Sequence, residues 1–408
     1  MMSNKIICLG AYVCCILVEL ASCTQKETYH NDFFEKNVTF VAEQQKLQVE
    51  EINKTGKILY PRTIKDGGIY YTPIRDWCVG FFPANLWMTY KLTGDEKWKE
   101  QAEKFTESLD TLQYLTTTHD LGFMVGCPYL AGIRFAGKED YKPIIVQAAK
   151  SLSSRFRPKA GVIQSWNVDR GWQKERGWKC PVIIDNMMNL ELLFEASLIS
   201  GDSVYYDIAK KHADITLANH FRDDNSSYHV VDYDPESGEV RSRQTAQGYA
   251  DESAWARGQA WGLYGYTVCY RYTNDRKYID QAEKIADFIF SNKNLPVDLV
   301  PYWDYNAPNI PDEPRDASAA AVSASALYEL YEYTGNKDYI LKADSILKSL
   351  SGDAYQAKLG ENGNFILMHS VGSIPHGNEI DVPLNYADYY FLEALLRKKE
   401  LLNKLNVK

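Results

Sequence analysis

Five stretches of this 408-residue chain carry residue types that transfer protons or bind ions. The most pointed is Trp178-Lys179-Cys180-Pro181-Val182-Ile183-Ile184-Asp185-Asn186-Met187-Met188-Asn189-Leu190. There a carboxylate, Asp185, follows three apolar residues and opens an apolar helix pattern reaching about Ser200. Trp166, Trp172 and Trp178 crowd the residues before it. A charge in such company is costly unless it is paired or does work. The plainer reading is a helix N-cap, a common role for Asp, and one residue can fill both roles.

The other four stretches are less sharp. Arg75-Asp76-Trp77-Cys78-Val79-Gly80-Phe81-Phe82-Pro83 stands just ahead of an apolar helix pattern, with Asp76 as a candidate cap. Thr118-His119-Asp120-Leu121-Gly122-Phe123 sets a His–Asp pair beside a glycine turn, suited to orienting a ligand or to capping a loop. In Tyr249–Gly262, Trp255, Arg257 and Trp261 are separated by two and four residues, so at least Arg257 and Trp261 share a helical face. Arg is the side chain best shaped to grip a carboxylate through two parallel hydrogen bonds, with tryptophans as pocket walls and glycines that admit close approach. A structural ion pair with an acidic neighbour is the competing reading for Arg257. His369-Ser370-Val371-Gly372-Ser373-Ile374-Pro375-His376-Gly377 reads as a polar loop before the last helix, able to close over a site or to lie on the surface.

The elements that position these residues follow from the rest of the chain. A formal charge of −9 with no compensating basic tract argues against nucleic-acid binding, and leaves any anionic small substrate to a local cluster of Arg and His. No Gly-rich phosphate loop, Gly-x-Ser-x-Gly elbow or His-Glu-x-x-His zinc helix is present. At the N-terminus, Lys5, an apolar run from Ile6 to Leu20 interrupted by Glu19, and Leu20-Ala21-Ser22-Cys23 read as an export signal ending in a lipobox. Residues 1–22 are then a signal peptide, and 23–35 a polar linker from a lipidated Cys23. The expected location is periplasmic or at the outer membrane, with membrane contact only through that lipid. Cys8, Cys14 and Cys15 lie in the leader; Cys78, Cys127, Cys180 and Cys269 are too dispersed for a zinc motif, and their pairing is not readable from spacing.

Beyond the linker, helical periodicity dominates and a unit repeats. Thr93-Gly94-Asp95 leads to Trp98 and Ala102, Gly201-Asp202 to Tyr205 and Ala209, Asn274-Asp275 to Tyr278 and Ala282, and Gly335-Asn336 to Tyr339 and Ala343. A weaker copy at Gly137 keeps Tyr141 and loses the Ala. Each has Gly or Asn where a helix would end in a left-handed residue, so the unit is helix, tight turn, helix. Five turns, with the helix pattern Asn385–Leu402 needing a partner, give six helical hairpins, for which an all-α (α/α)6 barrel over 36–408 is the natural closed form. The spacings between turns vary from 43 to 73 residues, unlike an open superhelix of about 34-residue repeats, so the surplus must form long loops at one end.

Four motifs in this order resemble the unsaturated glucuronyl hydrolases of glycoside hydrolase family 88. They are His119-Asp120-Leu121-Gly122-Phe123, Asp185-Asn186-Met187-Met188-Asn189, Trp255-Ala256-Arg257-Gly258-Gln259-Ala260-Trp261-Gly262 and Arg315-Asp316-Ala317-Ser318-Ala319-Ala320. The resemblance runs from about Arg75 to the last helix and implies the same (α/α)6 barrel. It implies hydration of the C4=C5 double bond in the terminal uronic acid of unsaturated di- or oligosaccharides left by polysaccharide lyases. By motif, Asp185 matches the proton donor and base, and Asp120 the second essential aspartate. His119, His229, Gln247, Trp255, Arg257 and Trp261 look like the uronate-binding set, and Trp166 like an aromatic platform for the sugar. Because this is vinyl-ether hydration, the usual carboxylate separations of glycosidases do not apply. No metal and no cofactor is implied. A helix N-terminus favours an ionised Asp185, whereas burial and Asp120 favour the neutral form; the expectation is that burial prevails.

Ser370 and Ser373 fit a Ser-x-x-Ser-x-Lys loop with which some members hold sulfate, but Pro375 stands at the Lys position, so that function is not carried over. Two alternatives stay open. One is an unsaturated rhamnogalacturonyl hydrolase acting on pectin fragments, against which Gln259-Ala260 speaks. The other is a lipoprotein that captures glycans without catalysis.

Overall fold

The computed structural model describes residues 32–406. The expected signal peptide, the lipobox and Cys23 lie outside the described residues. Five hairpins follow the repeat: α2 (Phe81–Thr93) with α3 (Glu96–Glu107), α4 (Cys127–Ala136) with α5 (Lys142–Ser153), α7 (Leu190–Ser200) with α8 (Ser203–Asn219), α9 (Ala256–Thr273) with α10 (Arg276–Ser291), and α11 (Ala317–Thr334) with α12 (Lys337–Leu350). The sixth pair is α1 (residues 32–54) and α13 (Asn385–Asn406), so the barrel's first helix already includes the last residues of the expected linker. Lys398 and Lys399 of α13 lie over the Phe33 and Phe34 rings, and α13 packs on both α2 and α11. This closes the ring into an (α/α)6 barrel.

The turn chemistry explains the hairpins. Gly94, Gly137, Gly201 and Gly335 all take positive φ, as does Asn274, one of the few side chains tolerated there. One residue later, Asp95, Asp202, Asp275 and Asn336 accept a backbone N–H at the start of the next helix. The Gly137 copy instead passes through a 3₁₀ turn at Glu139–Tyr141 with no side-chain cap, which is why its signal is weak. Inner helices α9 and α11 are buried along almost their whole length, and the alanines of α11 let its neighbours approach.

At the tight-turn end a cavity of about 430 Å³ reaches into the barrel, bordered by a charged network. Arg271 joins Glu191 to Glu329, Arg397 binds Glu329, and Arg134 binds Glu191 and Glu195. Although burial pushes the Glu191 carboxyl up, Arg134 and Arg271 hold it down to about 2.

The strands lie in the long loops at the other end. Strands β1 (Tyr60–Lys65) and β2 (Gly68–Thr72) precede α2; β3 (Phe156–Arg157) pairs with β4 (Val162–Ile163), after which the short α6 (Gly171–Glu175) follows. Strands β5 (Cys180–Ile183), β6 (Val230–Tyr233) and β7 (Val240–Gln244) form one antiparallel sheet in that order. The stretch expected as a polar loop is instead a hairpin of β8 (Ser370–Ser373) and β9 (Asn378–Val382). Its backbone is paired rather than free to swing. Asp76 does not cap α2, whose N-cap is Gly80. It accepts the Cys78 backbone N–H and pairs with Arg62, which also binds Glu379 of β9. The four cysteines of the barrel are free thiols.

Candidate active site

Asp185 sits in the first turn of a 3₁₀ helix, Ile184–Asn189, that leads into α7. It does not cap α7: the N-cap position belongs to Asn189, and Asp185 Oδ2 has no hydrogen-bond partner although it is buried. Burial raises its carboxyl to about 7, over the opposing charge of Arg257, and Asp120 pushes the same way. Desolvation thus prevails over the helix terminus, as expected from the apolar residues Val182, Ile183 and Ile184, all buried.

Strand register brings in the next residue. Ile183 pairs with Val230, and the Ile184 N–H donates to the His229 carbonyl at 3.1 Å, so the residues just past each strand end meet. His229 Nε2 then lies 3.7 Å from Asp185 Oδ2. Its Nδ1 accepts the backbone N–H groups of Ala246 (3.0 Å) and Gln247 (3.1 Å), so the proton must sit on Nε2, facing Asp185. Burial, with the charge of Arg257, holds this imidazole well below its usual pKa, and it is neutral.

Asp120 and His119 come from the segment between α3 and α4. Thr118 donates to Asp120 Oδ2 at 2.7 Å, and His119 Nε2 lies 3.2 Å from Asp120 Oδ1. His119 Nδ1 bonds the Ser165 carbonyl at 2.9 Å, and burial lowers its pKa. The chain then makes one turn of π-helix, Gly122–Gly126, an irregularity that recurs at functional sites. The two aspartate motifs interlock here. Asn189 Oδ1 accepts the Phe123 N–H at 3.3 Å, and a Cβ on Gly122 would sit 2.6 Å from that same oxygen. Only glycine allows the two segments to lie this close. Asn186, buried, ties its own segment to β4 through the Ile163 carbonyl at 2.7 Å.

From α9, Arg257 reaches Asp316, the N-cap of α11, at 3.0 Å. Its other bonds go to the carbonyls of Val371 and Gly372 in β8. Three of its five N–H donors are therefore committed within the protein, and both pair members are buried. The two-pronged grip expected of Arg257 is reduced to Nε and the remaining Nη2 hydrogen. Its guanidinium also lies 4.4 Å from the centroid of Trp255, whose ring is 4.6 Å from His229. Trp261 is fully buried against Phe123 and Tyr390 and offers no ring face to a ligand. Its buried Nε1–H faces the Asp185 carboxyl and opposes the rise in that group's pKa.

Trp166 is half-buried, stacked on Trp178 at 5.6 Å and edge-on to His229 at 6.0 Å. Gln247 donates through Nε2 to the Gly372 carbonyl at 3.2 Å. Ser373 Oγ is 2.7 Å from His376 Nδ1, whereas Ser370 is wholly buried with an unpartnered Oγ. The structure therefore gathers Asp120, His119, Asp185, His229, Trp166, Gln247, Trp255 and Arg257 around the long-loop end, with the indole N–H of Trp261 reaching Asp185 from below, and leaves Ser370 buried behind them. Sequence reading passed over Asn186, Asn189, Ser165 and Asp316. Of these, the repeated Asn in Asp-Asn-x-x-Asn and the Arg-Asp pair before α11 were the available signals; Ser165 had none.

A two-aspartate pocket of this kind, with one carboxyl raised to about 7, can deliver a proton and then receive one from water. The Glycosyl Hydrolase Family 88 model matches residues 62–267. The chain is 48% identical over 337 residues to the unsaturated glucuronyl hydrolase of Formosa agariphila, spanning 82% of this chain and 83% of that one. The crystal structure of an unsaturated glucuronyl hydrolase specific for heparin superposes with a TM-score of 0.87 at 46% identity, over 91% of this chain and 98% of that chain. A mutant unsaturated glucuronyl hydrolase from Streptococcus agalactiae, complexed with dGlcA-GalNAc6S, superposes with a TM-score of 0.75 at 29% identity, over 90% and 91%.

Proposed function

The chain belongs to glycoside hydrolase family 88, and from that premise we propose which of its residues run the reaction. It is an unsaturated glucuronyl hydrolase. It releases the 4,5-unsaturated uronic acid from the non-reducing end of lyase-generated glycosaminoglycan oligosaccharides by hydrating the C4=C5 vinyl ether. The names of these relatives favour this activity over the pectin-fragment reading and over capture alone.

Asp185 protonates C4. Positive charge develops at C5 and the ring oxygen, and a water adds to C5 while giving its proton back to the Asp185 carboxylate. The C5 hemiketal then opens to a ketone, the freed C1 hemiacetal expels the next sugar as an alcohol, and the enzyme returns to its starting state. The observation that carries this assignment is the buried Asp185 carboxyl, raised to about 7 and facing the Nε2–H of a neutral His229. A histidine locked neutral does not take the proton that the alkene needs. Asp120, fixed by Thr118, is the second carboxylate, stabilising the charge that develops on the ring.

His119, His229, Gln247 and the free edge of Arg257 bind the uronate, with Trp255 beneath them and Trp166 as the platform for the sugar. Ser373 lies at the pocket's outer edge, and Ser370 supports the strand under it. Export and lipidation of Cys23 would hold the enzyme where lyase products appear; labelling with a lipid precursor in wild type but not Cys23→Ala tests that. The activity itself is tested by adding lyase-generated disaccharides and following ultraviolet absorbance of the conjugated double bond. Loss of absorbance supports hydration, and binding without loss supports the capture protein.

A further inference from the structure

We propose that Arg155 is a positioning residue of this reaction, a buried cation that joins the His119–Asp120 segment to the Trp166 segment and sets the proton state of His119. The proposal deepens the activity assigned above and rests on it.

Three Lys or Arg side chains are buried among the described residues. Arg257 is paired with Asp316 and Lys398 with Asp344, whereas Arg155, 3% exposed, has no ion pair. A buried charge without a counter-ion is costly, and such groups gather where the charge has a role. Burial lowers the Arg155 pKa to about 10, which leaves it charged at neutral pH. Its Nε donates to the Gln164 carbonyl at 2.8 Å, and Nη1 to the Thr116 carbonyl at 2.9 Å and to Asn167 Oδ1 at 3.0 Å. Nη2 donates to the Ser165 carbonyl at 3.0 Å. Gln164, Ser165 and Asn167 flank Trp166, and Thr116 opens the stretch that carries His119 and Asp120. The fork therefore fixes the sugar platform against the second aspartate. Its acceptors are all neutral, so they solvate the charge without cancelling it.

Ser165 is where these segments meet. Its carbonyl accepts from both Arg155 Nη2 and His119 Nδ1, so guanidinium and imidazole lie side by side. Its Oγ accepts the Ile183 N–H at 3.0 Å, which ties both to the strand leading to Asp185. A carbonyl only accepts, so Nδ1 carries the single proton of a neutral His119. A second proton would go on Nε2, 3.2 Å from Asp120 Oδ1. The ion pair so formed would cancel the charge that Asp120 offers to the developing cation on the ring. Burial lowers the His119 pKa; Asp120 opposes this and Arg155 reinforces it. Arg155 thus offsets the pull of Asp120 on the imidazole.

The other titratable groups near the pair supply no such balance. Burial brings His212 of α8 down to about 3, so it stays neutral, and pushes the Cys180 thiol up to about 12. Arg157, whose Nε donates to Gln164 Oε1 at 3.0 Å, adds positive charge beside Arg155. Asp185 answers to burial, Arg257 and Asp120.

The test compares wild type, Arg155→Lys and Arg155→Gln. Steady-state rates with an unsaturated disaccharide are measured against pH, beside an NMR titration of isotope-labelled histidine in the same proteins. The His119 signal is assigned by its loss in His119→Gln. Both variants forfeit the fork around Trp166, and KM should rise several-fold in each. Only Arg155→Gln loses the charge. Its His119 titration and the acid limb of kcat/KM should both move up by about one pH unit, while the alkaline limb set by Asp185 stays at about 7. Arg155→Lys should keep the acid limb of wild type, which a loosened loop alone does not explain. A His119 titration and an acid limb unchanged in Arg155→Gln overturn the proposal. Where Arg155→Gln does not fold, wild type decides: His119 titrating below about 6.5 supports the proposal, and a higher value overturns it. The titration needs no turnover, so an inactive wild type overturns the assigned reaction by a separate reading.

Discussion

His229 Nε2 stands 3.7 Å from Asp185 Oδ2, with the imidazole's proton forced onto that nitrogen by two backbone N–H groups at Nδ1. The relationship follows from the antiparallel pairing of Ile183 with Val230, which sets the two side chains at adjoining strand ends. The Asp185 side chain is 13% exposed, with Oδ2 itself buried and facing a donor that stays neutral. Its acidity is governed by burial, and the consequences can be measured.

The first concerns pH. Because Asp185 acts as an acid and its carboxyl is raised to about 7, kcat/KM should fall as pH rises through about 7. Profiles of kcat/KM against pH check this; a flat profile to pH 9 would contradict it.

The same shift bears on stability. The folded state holds the Asp185 proton above the unfolded value, so this group's contribution is full below about pH 4 and is lost as pH rises through about 7. Asp185→Asn removes that penalty. Denaturant unfolding at pH 8 should find the variant more stable than wild type by about 1–3 kcal/mol, with the gap closing at pH 4.

Packing between the aspartate motifs gives a third prediction. A Cβ on Gly122 would press on Asn189 Oδ1 at 2.6 Å, so Gly122→Ala must push the Asp120 and Asp185 segments apart. It should cost about 1–3 kcal/mol and lower kcat far more than it raises KM. Unfolding curves and steady-state kinetics on the same preparation check both.

Asp316 both caps α11 and neutralises buried Arg257. Asp316→Ala leaves that guanidinium without its counter-charge and should cost about 3–5 kcal/mol. Asp316→Asn, which keeps the cap, should cost less and still impair turnover, because Arg257 also fixes β8.

At the other end of the barrel, Glu191 is held down to about 2 by Arg134 and Arg271. Its contribution is present above the unfolded carboxyl pKa and is lost as pH falls through about 2. Glu191→Gln should be destabilised by about 2 kcal/mol at pH 7, with the difference from wild type narrowing in acid.

Much of the architecture was legible in sequence because it is written locally. Gly-Asp and Asn-Asp turns specify a left-handed stop and a cap within two residues, and Tyr or Trp one turn later marks the buried face. The 3₁₀ entry at Asp185 was not legible, since the apolar pattern continues unbroken from Val182 to Leu193 whether or not the chain is α-helical. The β8–β9 hairpin hid for a similar reason: its strands are short, and Ser, Gly, Pro and His read as loop. At the site, residue types announced the carboxylates, histidines and tryptophans. What each side chain spends its hydrogen bonds on was beyond local pattern. Arg257 is the case in point, because its partners Asp316, Val371 and Gly372 lie at least 59 residues away.

The central claim is that Asp185 supplies the proton. Asp185→Asn keeps the shape of the side chain and removes its acidity, so it separates binding from chemistry. With an unsaturated disaccharide, kcat should fall roughly a thousandfold or more, while calorimetric affinity stays within a few-fold of wild type. Substantial residual turnover in a correctly folded variant would contradict the account.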